Sequence, residues 1–328
     1  KFLRSHLVHD LWAMSMHWQI LGCGSAVPLP QHHPSAQILH VGGKSYLLDC
    51  GEGTQVRFKE FGVNGQQVDA IAITHLHGDH VYGLPGLLSS WHLLGRTKAL
   101  TLIGPPDLEA FIRPQLELSR CWLEYPLHFV ACTDEPGARV FEDEAVQIFS
   151  HPLKHSIPTW GYKVVTQRGL RRIDADKARA AGVESCDMRR LQLGMDVVTR
   201  SGATVLNASV TLDPRPPLQF AYITDTAPLH SLVEFVRGVH VLYHESTFLT
   251  SHLELAQKSQ HSTAAQAAQI ASAAEVGTLC LGHYSVRYGS SEPFVEEALE
   301  IFPRVVAGYS GMRRELTLEG ELRAFKRG

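Results

Sequence analysis

Three imidazoles and a carboxylate fall within the six residues His75-Leu76-His77-Gly78-Asp79-His80. Side chains alternate with a period of two along extended backbone, so His75 and His77 point the same way and can pinch one metal ion. Gly78 is expected to let the chain turn tightly, which leaves Asp79 and His80 to face a second ion. Imidazole nitrogen with carboxylate oxygen suits zinc, and manganese or iron is also compatible. The apolar run 68–73 leads straight into these residues. A histidine-rich surface loop would have no reason to follow a buried strand so directly.

Four other places put a ligand-type side chain at the end of an apolar run: His155, Asp225, the pair His244-Glu245, and His283. Singly, each reads as a cap or a satisfied turn residue. Together they carry weight, because the strand ends of a layered sheet converge on one rim. His75, His77 and His155 would hold one ion. Asp79, His80 and His283 would hold the other, and Asp225 would bridge, since a carboxylate can tie two ions about 3.5–4 Å apart. Water between two such ions becomes a nucleophile near neutral pH.

Those residues need strands to place them. Hydrophobic periodicity predicts strands over 17–21, 37–41, 45–49, 68–73, 101–104, 127–130, 146–149 and 162–165, with Gly42-Gly43 as a turn. Helices are predicted from 54 to about 61, over 84–94, and from Asp107 as N-cap. Charges crowd in and apolar periodicity weakens over about 167–217, where two short helices are expected at 174–181 and 185–193. This reads as an arm inserted into the core domain. Regular alternation returns with strands at 220–224, 239–243 and 278–281 and an alanine-rich helix over 262–274, capped by Ser262 or Thr263. Strands that first cluster and then alternate with helices imply an α/β fold of two mixed sheets packed face to face with helices outside.

The 328 residues are 44% hydrophobic and 19% charged, which is ordinary globular composition. A net charge of -3 gives no overall basic excess, so any nucleic-acid contact must come from a local patch. The cysteines Cys23, Cys50, Cys121, Cys132, Cys186 and Cys280 form no C-x-x-C pair and are expected to be small buried residues in a reducing, cytoplasmic setting. No apolar run is long enough to span a bilayer. Residues 1–16 make a poor signal peptide and read as an extension before a domain covering 17–328, with Met14 or Met16 as a natural start.

Taken in order, several motifs resemble the metallo-β-lactamase superfamily and, within it, the ribonuclease Z family of tRNA 3′-processing endonucleases. They are Leu21-Gly22-Cys23-Gly24-Ser25, Asp49-Cys50-Gly51-Glu52-Gly53-Thr54-Gln55, the histidine loop with Gly83-Leu84-Pro85-Gly86, His155-Ser156-Ile157-Pro158, Thr224-Asp225-Thr226, His244-Glu245-Ser246-Thr247-Phe248, His261-Ser262-Thr263 and Gly282-His283-Tyr284-Ser285. The histidine loop marks the superfamily. The Gly-Glu-Gly-Thr-Gln, His-Glu-x-Thr-Phe and His-Ser-Thr runs are specific to ribonuclease Z. The resemblance implies an αββα sandwich, two Zn2+ per chain (Mn2+ also admissible), a homodimer and precursor tRNA as substrate. It further implies that Asp79 accepts a proton from the attacking water. His261, oriented by Glu245, would protonate the leaving ribose oxygen, since an alkoxide leaves poorly without a proton.

The sequence departs from that pattern in two places. Fixed positive charge in the loop after the first strand is replaced by Pro28 to Pro34 with His32 and His33, and the arm tip carries Arg189-Arg190 rather than a Gly-Pro-rich segment. Basic residues assigned to the arm (Lys163, Arg168, Arg171, Arg172, Lys177, Arg179, Arg189, Arg190, Arg200) outnumber its acids Asp174, Asp176, Glu184, Asp187 and Asp196. A locally positive arm suits a phosphate backbone, with Arg189, Arg190, His32 and His33 as candidate substrate contacts. A hydrolase of the same fold acting on a small phosphodiester or other ester is the alternative. An RNA-binding module with a dead site would lack ligands, and here all seven positions are filled.

Overall fold

The computed structural model describes residues 15–29 and 32–325. Most of the expected N-terminal extension, 1–14, lies outside the described residues, and the first strand opens at Met16, one residue before the anticipated boundary. The strands are β1 (Met16–Gly22), β2 (Ala36–Val41), β3 (Lys44–Leu48), β4 (Val68–Ala72), β5 (Leu100–Gly104), β6 (Leu127–Ala131), β7 (Ala138–Glu142), β8 (Val146–Pro152), β9 (Trp160–Thr166), β10 (Arg172–Ile173), β11 (Val197–Val198), β12 (Thr204–Val205), β13 (Thr211–Leu212), β14 (Gln219–Ile223), β15 (Val241–Glu245), β16 (Thr278–Gly282), β17 (Val305–Ala307), β18 (Arg313–Leu316) and β19 (Leu322–Ala324). One eight-stranded sheet runs β19-β18-β1-β2-β3-β4-β5-β6 and one seven-stranded sheet runs β17-β16-β15-β14-β9-β8-β7. Each is antiparallel in part and parallel in part: β3 to β6 and β14 to β17 are the parallel blocks.

Period-two alternation builds the layers. Trp18, Ile20, Leu39, Tyr46, Leu48 and Ala72 face Tyr162, Val164, Phe220, Tyr222, Val241 and Tyr243 across the space between the sheets. Trp18 bridges it, 5.0 Å from the Phe220 ring and 6.3 Å from Tyr243. The alternate residues Ile38, Leu47, Ile71 and Leu102 point the other way, under the helices Gly83–Leu93 and Leu108–Leu118. Burying Leu84, Leu87 and Leu88 stabilises that layer by about 1.5–3 kcal/mol each. On the second sheet, Ala221, Ile223, Leu242 and Leu279 lie under Ala264–Ala273, whose Ala264, Ala267, Ala268 and Ala271 form one helical stripe. Of the two candidate caps, Thr263 takes the role: its Oγ1 accepts from Gln266 N and Gln266 Oε1 accepts from Thr263 N, a full capping box. Asp107 precedes its helix but accepts no capping bond.

The expected helices-outside sandwich is present, with additions. β7 and the C-terminal strands β17 to β19 were not expected; they are short and carry few fully buried residues, so their apolar period is weak. Cys23, Cys50, Cys132 and Cys280 are buried, whereas Cys186 is exposed and Cys121 half-buried, against expectation. Burial pushes the Cys23 thiol up to about 12 and Cys132 to about 11, so neither is a reactive thiolate. No helix among the described residues is long and apolar enough to cross a membrane.

Residues Gln167–Pro217 form a second compact unit. Its small core is Ala178, Leu191, Val197, Val205 and Val210. Asn207 Nδ2 ties it by donating to Leu191 O at 2.6 Å. The helices Ala175–Ala180 and Met188–Gln192 are joined by two tiny sheets, β10-β13 and β11-β12, that the charged sequence conceals. Lys163 does not belong to this unit. It sits on β9, donating to Phe235 O at 2.7 Å over the Phe235 ring.

His40 gives the fold a pH dependence remote from the candidate centre. Its Nδ1 lies 2.8 Å from Ser45 Oγ. Burial, followed by the neighbouring His17 and Arg313, lowers its pKa to about 4 from the ordinary 6.5. Above 6.5 the ring is neutral whether folded or unfolded. As pH falls from there towards 4, the unfolded chain binds a proton that the folded chain refuses, so stability drops. The urea midpoint is expected to fall between about pH 7 and pH 5, and less steeply in His40→Gln. Identical slopes for the two proteins would contradict this.

Candidate metal centre

The candidate ligands leave the sheets at one edge. β3 runs into Asp49, β4 into Thr74-His75, β14 into Asp225 and β16 into His283, while β15 ends on Glu245 and the turn between β8 and β9 holds His155. The turn 75–83 is locked from beneath: Cys50 N donates to His80 O at 2.8 Å and Gly83 N to Cys50 O at 2.9 Å. Gly83 must lack a side chain, since a Cβ there would lie 2.1 Å from Gly51 O. Gly78, expected to make the tight turn, instead opens the helix Gly78–Val81; the space it leaves is taken by the Tyr82 ring.

Two groups of donors result. His75, His77, His155 and Asp225 offer atoms all within 4.8 Å of one another, and so do Asp79, His80 and His283. Asp225 faces both. Its Oδ2 lies 3.6 Å from His75 Nε2 and 3.9 Å from His155 Nε2, and its Oδ1 lies 3.3 Å from His80 Nε2 and 3.2 Å from His283 Nε2. The inward nitrogens meet one another: His75 Nε2 is 3.0 Å from His77 Nδ1, His155 Nε2 3.3 Å from His77 Nδ1, and His80 Nε2 3.3 Å from His283 Nε2. Facing imidazole lone pairs attract only through a cation between them, either a proton or a metal ion.

The outer nitrogens fix that orientation. His80 Nδ1 donates to Asp49 Oδ2 at 2.7 Å, His155 Nδ1 to Gln260 O at 3.2 Å and His283 Nδ1 to Thr247 Oγ1 at 3.0 Å. Thr74 Oγ1 gives its proton to Asp49 and accepts from His75 Nδ1 at 3.0 Å. The network therefore assigns tautomers that leave these four Nε2 lone pairs free to bind. Burial, reinforced by the His80 charge, holds His75 well below its usual pKa, and burial lowers His77 and His155 too. These rings are neutral, as metal ligands must be. Burial opposes charge on His80, yet the carboxylates of Asp225, Asp49 and Asp79 outweigh it and raise its pKa. That is the field of a cation site. The donor set and this field fit a metal cofactor.

Backbone strain marks the same place. Of seven non-glycine residues with positive φ among the described residues, five are Ala26, Asp49, Asp225, Gln260 and His283. All five lie at or beside the centre, where surrounding structure over-determines the conformation.

His261 lines the same cavity of about 400 Å³, with Asp79, Asp225 and His283. Its Nδ1 is 2.8 Å from Glu245 Oε1. The fully buried Glu245 is held by the Thr226 and Thr247 N–H groups at 2.7 and 3.1 Å and by the Thr247 hydroxyl at 2.7 Å. Burial disfavours charge on His261, but Glu245 outweighs it and raises the pKa to about 9, so the ring carries a proton at neutral pH. Asp79 is the reverse case: burial opposes its charge, while His80 and His283 hold its pKa far below the carboxylate range. Its Oδ2 also accepts from Ala26 N at 2.8 Å.

Not every candidate joins. His244, on the other face of β15 from Tyr243 and Glu245, is buried with Nδ1 turned to the Glu245 carbonyl, and takes no part. His32 and His33 belong to the loop paired back on Leu29 and Gly24, and neither lines the cavity. Arg189 and Arg190 are exposed on the inserted unit. Asp49 is a further residue of the centre that was not among the expected ones, although it shares the sequence signal of Asp225: a carboxylate closing an apolar strand. It binds Thr74, His80 and Tyr222, the last at 2.9 Å.

The chain is 39% identical to Ribonuclease Z of Parabacteroides distasonis over 294 residues, spanning 90% of this chain and 97% of that protein. It belongs to the ribonuclease Z family. Ribonuclease Z of Porphyromonas gingivalis is 38% identical over 304 residues, 93% of this chain and 99% of that protein. Among solved structures, human tRNase Z, short form, superposes with a TM-score of 0.66 at 24% identity, covering 90% of this chain and 98% of that one. A family profile described as Anti-Pycsar protein Apyc1 matches residues 16–115, the part of the ribonuclease Z fold that carries the histidine loop.

Proposed function

We propose that this member of the ribonuclease Z family is a metal-dependent endoribonuclease that removes the 3′ trailer from precursor tRNA, leaving a tRNA 3′-hydroxyl. The observation that carries the reading is near full-length similarity to proteins named Ribonuclease Z in a chain whose seven donors gather in two adjoining groups. His75, His77 and His155 would hold one Zn2+, Asp79, His80 and His283 a second, with Asp225 between them; five imidazoles and two carboxylates suit zinc, and Mn2+ less well. Bound there, the ions supply an acidic water and offset charge building on the phosphorus-bound oxygens.

The chain's own groups do the rest. Asp79 is ionised at any working pH and accepts the proton of the water that attacks phosphorus. The bond from phosphorus to the ribose 3′-oxygen breaks as His261 Nε2 delivers its proton to that oxygen. Glu245 holds His261 in the tautomer and position for this transfer. Unpaired cysteines suit a cytoplasmic enzyme. Val56, Tyr82, Leu93 and Leu94 are exposed apolar residues on or beside the helices Thr54–Glu60 and Gly83–Leu93, of the kind a homodimer would cover.

The inserted unit is the proposed tRNA contact. Many of its cations are already paired, Arg179 with Asp176 at 3.0 Å, Arg190 with Asp187 at 3.7 Å and Arg171 with Asp213, a further acid of the unit, at 2.6 Å. Arg189 is exposed and makes no ion pair among the described residues. Wild-type protein is expected to cut a 3′-extended tRNA transcript after the discriminator base. Replacing Arg189 and Arg190 together by alanine should raise KM for the transcript about tenfold while sparing bis-p-nitrophenyl phosphate. Cleavage of the small diester alone by wild type would refute the tRNA reading. Equal losses on both substrates would remove the arm from it.

A further inference from the structure

We infer that Lys258 binds a non-bridging oxygen of the scissile phosphodiester at the mouth of the metal cavity, an inference that rests on the phosphodiesterase reading above. Among the described residues lining that cavity, Lys258 is the one lysine or arginine. It is exposed in the last turn of the helix Leu253–Ser259, and makes no ion pair or hydrogen bond among the described residues. Its lip is firmly placed. Gln260, in the left-handed conformation, turns the chain after that helix, its carbonyl accepts from His155 Nδ1, and His261 follows on Glu245. Ser25, Ala26 and Ser156, also in the lining, offer no charge. The cavity's other charged side chains are the carboxylates of Asp79 and Asp225, which belong to the metal centre, and the protonated His261, which is held by Glu245 and committed to the leaving oxygen. A phosphodiester seated there turns one anionic oxygen outward. A flexible ammonium with three donors is the group available to meet it.

The test is steady-state kinetics of Lys258→Met and Lys258→Arg on a 3′-extended tRNA and on bis-p-nitrophenyl phosphate, over a range of salt. Lys258→Met should raise KM on both substrates about 10–100-fold, the scale of one charge-assisted hydrogen bond, with kcat little changed. Lys258→Arg should recover most of it. The slope of log kcat/KM against log salt on tRNA should shallow by about 0.7, one phosphate contact fewer. An unchanged KM, or a loss confined to kcat, in a variant of an active wild type would overturn the role of Lys258 alone. A wild type that hydrolyses neither diester would overturn the phosphodiesterase reading and this inference with it.

Discussion

Asp225→Ala is expected to abolish hydrolysis of every substrate, lowering kcat at least about 10⁴-fold through loss of several kcal/mol of transition-state stabilisation. Among the described residues of the two donor groups, Asp225 is the one whose carboxylate faces both. One carboxylate oxygen faces His75 and His155, the other His80 and His283. Thr224 Oγ1 donates to Oδ1 at 2.7 Å, and the positive φ of Asp225 aims the carboxylate inward. Alanine would remove one of the two carboxylates of the donor set, the one that faces both groups. Asparagine keeps the shape and loses the charge, so Asp225→Asn should be nearly as inactive. The loss should be equal on 3′-extended tRNA and on bis-p-nitrophenyl phosphate, because both need the same activated water. A variant that kept a tenth of its activity on either would show that the two donor groups work independently.

His261→Ala should behave differently on the two substrates. If His261 Nε2 protonates the leaving oxygen, its removal costs about 10²–10⁴-fold in kcat on tRNA, where the leaving group is a ribose alkoxide. p-Nitrophenolate departs without a proton, so bis-p-nitrophenyl phosphate should be hydrolysed at close to the wild-type rate. Glu245→Gln should follow the same pattern more weakly, since it loosens the orientation and lowers the proton affinity of the ring without removing it. A donor atom of His261 also lies within 4.8 Å of donors on Asp225 and His283. Were His261 a metal ligand rather than an acid, both substrates would suffer alike and the metal content would fall.

Much of this centre could be read from the chain because its ligands sit at the ends of strands, where apolar runs stop abruptly. The run 68–73 and the residues ending β14 and β16 announced themselves in that way. The sandwich was legible for the same reason: period-two alternation is strong in strands buried on one or both faces. What escaped lacked that signal. β17 to β19 are short and half-exposed. The pairing of β10 with β13 joins segments 40 residues apart through Arg172 opposite Leu212, which no local pattern reveals. His244 looked equivalent to its neighbours until the alternation of β15 turned it away from the site and turned Glu245 towards it. Gly78 was credited with a turn that the short helix makes unaided. How many cations of the inserted unit are free could not be read from composition, because ion pairing is set by the folded chain.

The central claim is that two cations are held side by side by these seven residues. Elemental analysis of purified protein, equilibrated with zinc and then desalted, tests it directly when wild type and Asp225→Ala are measured together. Close to two equivalents per chain in the wild type, and clearly fewer in the variant, are expected. A fully active wild type that retains one equivalent or none would contradict the account.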